Sequence, residues 1–210
     1  MDFATAKSVK SKSLSRDNGE IMRKALILGS LITLGASVPA IAANDFSYTY
    51  AEVGYINGES GGRDGDGVNL FGTLKLVDML HGFASYSEQE FDGNLDVDFF
   101  QAGLGLNLPI ASRLDFISRV SFVSVDVTGP GFSVDDNGYA LNFSLRTRVA
   151  RDFEFSGGLN YQDLDQGGED TSINAGVRYY FRRNLALGVD LLKNDDDTSA
   201  ILGLRVDLSQ

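Results

Sequence analysis

Residues 171–191 read TSINAGVRYYFRRNLALGVDL, and their apolar side chains fall on every second position on both sides of a short interruption. A period of two is typical of a β-strand with one apolar face, and the break at Arg183-Asn184 predicts a hairpin. The alternation alone does not say whether this face points into a protein core or out into lipid. The apolar row consists of Ile173, Ala175, Val177, Tyr179, Phe181, Leu185, Leu187, Val189 and Leu191.

The same alternation recurs from about residue 46 onward and predicts ten strands, with no segment of helical periodicity. Short turns are expected near residues 78, 110, 150 and 183, and mostly longer, acidic connections near residues 61, 92, 130, 166 and 195. The first strand has an ambiguous phase. There Ala51, Val53 and Tyr55 share one face, and Phe46, Tyr48, Tyr50 and Glu52 share the other.

The N-terminal residues resemble an export signal. Met22-Arg23-Lys24 supplies a basic start, residues 25–35 form an apolar run too short to span a bilayer, and Pro39–Ala42 ends in a small-x-small site. We therefore predict a signal peptide over residues 22–43 and a mature domain over residues 44–210. Residues 1–21 either lie upstream of the true start or extend the basic region of the signal.

The mature part of the chain is acidic. Residues 1–43 hold six Lys and Arg against three Asp and Glu, so 12 basic and 26 acidic residues remain, a net charge of −14. This charge argues against nucleic-acid binding, which needs a basic surface. The chain has no Cys, which excludes disulfides and thiolate metal sites.

Three features favour an apolar face that points outward into lipid. Short turns at one end and longer polar loops at the other are typical of outer-membrane barrels, and strands of roughly 10 to 13 residues suit a tilted span of the bilayer. Aromatic residues also collect near both strand ends, as in interfacial girdles. They are Phe116, Phe153, Phe155, Tyr179 and Phe181 towards the short turns, and Tyr55, Phe100, Phe122, Tyr139 and Tyr161 towards the loops.

These features predict an all-β fold, an up-and-down antiparallel transmembrane β-barrel of about ten strands, with eight as the fallback. The short turns and both ends of the barrel domain would face the periplasm. The alternative is a soluble periplasmic or secreted lipocalin-like barrel that binds a small apolar ligand in its lumen, because such a barrel shows the same period.

Three segments carry a family resemblance: residues 47–55 (SYTYAEVGY), 81–90 (HGFASYSEQE) and 95–98 (LDVD). The chain resembles small Gram-negative outer-membrane barrels of the OmpA-like class, and more closely the single-domain proteins described as quorum-sensing-linked or vesicle-associated. The resemblance implies location in the outer membrane and the barrel fold, and it implies no reaction. Such barrels usually end on an aromatic residue read by the barrel-assembly machinery, whereas this sequence ends Leu208-Ser209-Gln210.

Charged residues in the polar phase predict a network inside the barrel. Pairing Leu145 with Phe155 would place Arg146 opposite Glu154, and pairing Tyr179 with Leu187 would leave Arg178 diagonal to Asp190. Charges buried in a narrow lumen must be paired, so the network either fills the barrel or lines a narrow path for small ions and solutes. Its predicted members are Glu52, Lys75, Arg119, Arg146, Arg148, Glu154, Arg178, Asp190 and Arg205.

The sequence predicts neither catalysis nor a cofactor. Its one histidine, His81, is expected at a periplasmic turn, away from the outer rim where barrel hydrolases need one. The expected partners are membrane lipid, lipopolysaccharide and the assembly machinery. Divalent cations could bind the acidic loops at Asp64, Asp66, Asp195, Asp196 and Asp197, although solvated loop charge explains these residues as well.

Overall fold

The computed structural model describes residues 46–195 and 197–208, which form a closed antiparallel barrel of ten strands. Each strand pairs with its neighbours in sequence, and β1 closes the ring by pairing with β10. The predicted fold class and strand number are therefore confirmed. The strands are β1 (Tyr50–Ser60), β2 (Arg63–Val77), β3 (Leu80–Phe91), β4 (Leu95–Ala111), β5 (Leu114–Gly129), β6 (Phe132–Ala150), β7 (Phe153–Leu164), β8 (Gly168–Arg182), β9 (Leu185–Lys193) and β10 (Asp197–Asp207).

The predicted signal peptide, Asp196 and the last two residues lie outside the described residues. No helix among the described residues is long and apolar enough to cross a membrane.

The apolar face of the sheet points outward. Successive side chains of a strand alternate between its faces, so one apolar row per strand produces a continuous apolar exterior when the sheet closes. The first strand follows this rule, because Val53 and Tyr55 are exposed while Tyr50 and Glu52 are buried. Other exposed residues of this surface include Leu70, Leu104, Phe122, Leu145, Leu159, Ile173, Tyr179, Leu187, Leu191 and Leu202.

The inward row carries many polar and charged side chains beside its apolar ones, and this argues against the alternative of a lipocalin-like barrel. A barrel of that kind needs an apolar lumen to hold an apolar ligand. Here the buried side chains of the lumen include both acids and arginines, for example Glu52, Asp115, Arg146, Glu154, Arg178 and Arg205.

The long acidic loops predicted from the sequence are mostly strand. The first of them, residues 57–67, continues the β1–β2 hairpin, in which Asn57 pairs with Asp66 and Glu59 with Asp64. Only Gly61 and Gly62 remain between the strands, and both have positive φ (56° and 77°), as tight hairpin turns require. The connections at the loop end have only two or three residues, so they are nearly as short as the turns at the other end. What distinguishes the loop end is that the strands themselves extend further there and carry acidic residues.

The four short turns share one local structure. Each has a one-residue bulge in the first strand, then one paired residue and a two-residue turn, for example Asp78-Met79 between β2 and β3. The bulge interrupts the ladder and bends the strand, as is common at barrel rims. The bulged residues are Leu76, Ile110, Val149 and Phe181, and all four are apolar and exposed.

Candidate functional site: the luminal charge network

Six charged side chains form a continuous chain of alternating sign inside the barrel, which we call the luminal charge network. Arg178 Nη2 lies 2.7 Å from Asp190 Oδ2 and 3.0 Å from Glu52 Oε1. Arg205 then joins the two glutamates, with Nε 2.8 Å from Glu52 Oε2 and Nη1 3.1 Å from Glu154 Oε1. The order is Asp190, Arg178, Glu52, Arg205, Glu154 and Arg146.

Glu154 has the most partners in this network. Arg146 binds it through two hydrogen bonds, from Nε to Oε1 (2.8 Å) and from Nη2 to Oε2 (2.9 Å). Arg148 Nη2 lies 3.5 Å from Oε2, and the Tyr180 hydroxyl donates to the same oxygen at 3.2 Å. Because the Glu154 side chain is only 1% exposed, its charge is balanced by these groups and Arg205 instead of by water.

Several of these contacts cross the lumen instead of joining neighbouring strands. Arg205 on β10 reaches Glu154 on β7, and Arg178 on β8 reaches Glu52 on β1. In the ring, three strand steps separate each of these pairs. The network therefore fills much of the cross-section on the side of the barrel formed by β6 to β10 and β1.

The opposite side of the lumen holds a second group of buried polar residues around His81. The prediction of His81 as a turn residue is wrong: it is the second residue of β3, it points inward, and it is fully buried. Arg119 Nε donates to His81 Nε2 at 3.2 Å, and Asn107 Oδ1 lies 3.3 Å from His81 Nδ1. This arrangement fits a neutral ring that carries its proton on Nδ1, since Nε2 acts as the acceptor.

Arg119 differs from the other luminal arginines in its surroundings. Among the described residues, no carboxylate lies within ion-pair distance of it, and its guanidinium lies over the rings of Phe71 (5.5 Å) and Phe83 (5.2 Å). Its predicted place inside the barrel agrees with the structure, but it is separate from the charge network. Cation–π contacts of this kind stabilise a guanidinium that is removed from water.

Lys75 does not join the network, contrary to the prediction. Its side chain is 47% exposed and its Nζ lies 2.9 Å from Asp78 Oδ1 at the β2–β3 turn. The inward phase was assigned correctly, but the residue lies so near the end of β2 that its long side chain reaches solvent at the rim. An exposed pair of this kind contributes little to stability.

Of the two pairings predicted for the charges, one is correct and one is shifted. Tyr179 does pair with Leu187, which leaves Arg178 diagonal to Asp190 as expected. In the β6–β7 hairpin, however, Leu145 pairs with Gly157, and Arg148 instead of Arg146 stands opposite Glu154. The bulge at Val149 and the turn at Arg151-Asp152 move the register by two residues from the predicted one.

Glycines beside the network leave room for its long side chains. A Cβ at Gly188 would come within 2.6 Å of Arg178 Cγ, and one at Gly203 would come within 2.8 Å of Glu52 Oε1. Both glycines face the lumen on a strand next to the one that carries the charged residue. The Arg178 side chain therefore occupies the space above Gly188, and the Glu52 side chain occupies the space above Gly203. The alternation did not predict this complementarity, although the high glycine content was visible in the sequence.

Sequence reasoning also missed three buried luminal residues, Tyr48, Asn107 and Asp115. Tyr48 donates its hydroxyl to Asp115 Oδ2 at 2.6 Å, and Asn107 holds His81. Asp115 and Asn107 have the inward phase of β5 and β4, so their parity could have identified them. The alternation grouped Tyr48 with Tyr50 and Glu52 on one strand face, but β1 begins only at Tyr50, so the contacts of Tyr48 do not follow from strand phase.

The described acidic residues that were considered for metal binding lie in two hairpins. Among the described residues, no group of three or more histidines and carboxylates is arranged to hold a metal ion. Asp64 and Asp66 lie on the β1–β2 hairpin, while Asp197 accepts from the side chain of Asn194 at the β9–β10 turn. Asp195 lies in that turn, and Asp196 lies outside the described residues.

The chain matches no protein-family model and no curated protein sequence. Among solved structures, it is similar to the KdgM porin, with 12% identity, 75% of this chain and 99% of that chain covered, and a TM-score of 0.44. It is also similar to the NanC porin, with 11% identity, 75% of this chain and 100% of that chain covered, and a TM-score of 0.44. Neisserial surface protein A has 11% identity, with 76% of this chain and 96% of that chain covered, and a TM-score of 0.40. At identities this low, the fold class rests on the strand pairing of the chain itself.

Proposed function

We propose that the protein is a non-enzymatic β-barrel of the Gram-negative outer membrane. It would serve as an envelope component or surface interaction module, with at most a narrow channel for small ions or solutes. The observation that carries this proposal is the inverted distribution of polarity, with large apolar side chains about half exposed on the outside and ion pairs buried inside. Water would solvate such an exterior poorly, whereas lipid solvates it well.

Closure of the sheet supports the same proposal. In hydrocarbon every backbone N–H and C=O must find an internal partner, and a barrel without an edge strand provides one for each. The pairing of β1 with β10 runs from Tyr50 and Asp207 to Ser60 and Asp197 without a break. The resemblance of the sequence to single-domain outer-membrane barrels points in the same direction.

A packed lumen argues for a structural role over free diffusion of large solutes. The lumen of a ten-stranded barrel is only slightly wider than one that side chains can fill, and here cross-lumen ion pairs fill part of it. An enzymatic role has no support from the single histidine, because both ring nitrogens of His81 already contact Asn107 and Arg119.

Fractionation of the full-length protein in a Gram-negative host tests the membrane assignment. We expect recovery in the outer-membrane fraction, dependence on detergent for extraction, and a gel mobility that changes on boiling because the barrel resists unfolding by detergent. Recovery from the soluble periplasm without detergent would contradict the proposal. Planar-bilayer recording then tests closure, since large, stable conductance steps of the wild type that Arg146→Ala enlarges would show a conducting pore instead of a filled one.

A further inference from the structure

We propose that residues Phe46–Thr49 form a plug that closes the short-turn mouth of the barrel, and that this plug, together with the charge network, keeps the lumen from conducting. The proposal rests on the proposed membrane location and adds a specific device to it. The plug is the four-residue segment that directly precedes β1.

The plug is anchored at Thr49, beside the two strands that flank β1. Lys75 N donates to Thr49 Oγ1 at 3.1 Å, and Leu208 N donates to Thr49 O at 2.8 Å. Just before this anchor, Ser47 Oγ bonds to both the backbone N–H (3.2 Å) and the carbonyl (3.0 Å) of Thr49. These local bonds bend the chain, as serine hydroxyls do in turns, and so direct the segment away from the line of β1.

The bent segment reaches the opposite wall of the barrel. Arg146 on β6 donates from Nη1 to Ser47 O at 2.9 Å, and its guanidinium lies 4.7 Å from the ring centre of Phe46. Asp115 on β5 accepts the hydroxyl of Tyr48. Since β5 and β6 are four and five strand steps from β1, these contacts span the full width of the lumen.

Tyr48 covers the side of the lumen that the charge network leaves open. Its ring stacks on His81 with 5.1 Å between the ring centres, and both residues are buried. On the other side, Phe46 lies against Arg146 and Arg148, which already bind Glu154. The plug therefore joins the two luminal clusters at the mouth, and ions entering from the short-turn end would have to displace it.

Single-channel recording of the full-length protein in planar bilayers tests the plug. The test variant is the double substitution F46A/Y48A, which removes both rings but keeps the backbone and the charge network. The matched control is F153A/Y179A, which also removes two aromatic rings, in this case a contacting pair (5.0 Å between ring centres) on the outer face at the same end of the barrel. Correct folding of each variant is checked by heat-modifiable mobility.

We expect folded F46A/Y48A to give conductance steps several-fold larger or more frequent than the wild type, and the control to behave like the wild type. A folded double variant with wild-type conductance would overturn the plug while leaving the membrane assignment intact, whereas a wild type that fails to insert at all would count against the proposed function. If the double variant does not fold, Tyr48→Phe replaces it, because only the bond to Asp115 is lost. More frequent openings of Tyr48→Phe would support the plug, and openings unchanged from the wild type would overturn it.

Discussion

At the scale of single residues, the lumen depends most on Glu154. Three guanidinium groups and the Tyr180 hydroxyl contact its carboxylate, and it is almost completely removed from water. A buried carboxylate of this kind stabilises the fold because it neutralises the positive charge of its arginine partners. Its removal therefore leaves several buried cations without a counter-charge.

We therefore predict that Glu154→Gln lowers the free energy of unfolding by about 3–5 kcal/mol, the usual loss when one partner of a buried ion pair is removed. Asp190→Asn is the matched control, because Asp190 lies at the end of the network, is 21% exposed, and pairs with an arginine that still has Glu52. Its expected loss is below about 1.5 kcal/mol, close to that of one hydrogen bond. The measurement is urea unfolding of the folded barrel in lipid, and equal losses for the two variants would contradict the arrangement described here.

The alternation in sequence predicts which residues point inward, but not which of them are covered. Lys75 and His81 are directly paired on neighbouring strands, yet the lysine is exposed at the rim and the histidine is fully buried. The long side chain of Lys75 reaches solvent, whereas Tyr48 stacks on the ring of His81. The period of the strands does not predict this stack, because Tyr48 lies before the start of β1. The ion pairs were accessible to prediction because arginine and carboxylate charges in one narrow lumen have to meet.

At the scale of strands and hairpins, the register was predictable where a turn was identified correctly. The β8–β9 hairpin was correct because Arg183-Asn184 marks its turn. The predicted β6–β7 register differs by two residues because the turn lies at Arg151-Asp152 and is preceded by a bulge at Val149. All four short turns share a pattern that is visible in the sequence: an apolar bulged residue lies four positions before an apolar residue that starts the next strand. This pattern predicts the correct β6–β7 register. Examples are Val149 with Phe153 and Phe181 with Leu185.

At the loop end, one carboxylate orders a neighbouring hairpin. Asp136 on β6 is buried and accepts the backbone N–H groups of Gln166 (3.1 Å to Oδ2) and Gly167 (2.6 Å) in the β7–β8 turn. Bonds from backbone N–H groups to a charged acceptor are stronger than neutral ones. The sequence predicted only acidic connections near residues 130 and 166, and it did not predict this contact because the contact joins two separate hairpins.

We predict that Asp136→Ala frees the β7–β8 turn, raising amide hydrogen exchange at residues 165–167 and lowering the free energy of unfolding by about 1.5–3 kcal/mol. The control is Asp135→Ala, since Asp135 is exposed and contributes only its backbone carbonyl to Gln166. Hydrogen exchange followed by mass spectrometry distinguishes the two variants. Similar exchange in both would show that the Asp136 carboxylate does not hold the turn.

At the scale of the whole molecule, the sequence predicted the barrel because every strand repeats one rule. A single apolar row per strand, combined with ten strands in up-and-down order, leads to a closed sheet with an apolar exterior. The cross-lumen pairs of strands three to five steps apart were beyond reach, because they depend on barrel diameter and side-chain length as well as on phase. The proposed membrane location requires that the outer, apolar face of the sheet meets lipid.

The absence of tryptophan from the sequence allows that orientation to be measured directly. Tyr179 and Tyr180 are consecutive on β8, so they lie at almost the same depth, but Tyr179 is 47% exposed on the outer face and Tyr180 is 6% exposed in the lumen. Each is replaced by tryptophan in turn, and the fluorescence of the folded protein is measured in bilayers of brominated lipid. We predict strong quenching for Tyr179→Trp and little for Tyr180→Trp, because only the outward side chain contacts acyl chains. Equal quenching at the two positions, or stronger quenching at Tyr180→Trp, would contradict a barrel whose apolar face meets lipid and whose charges lie inside.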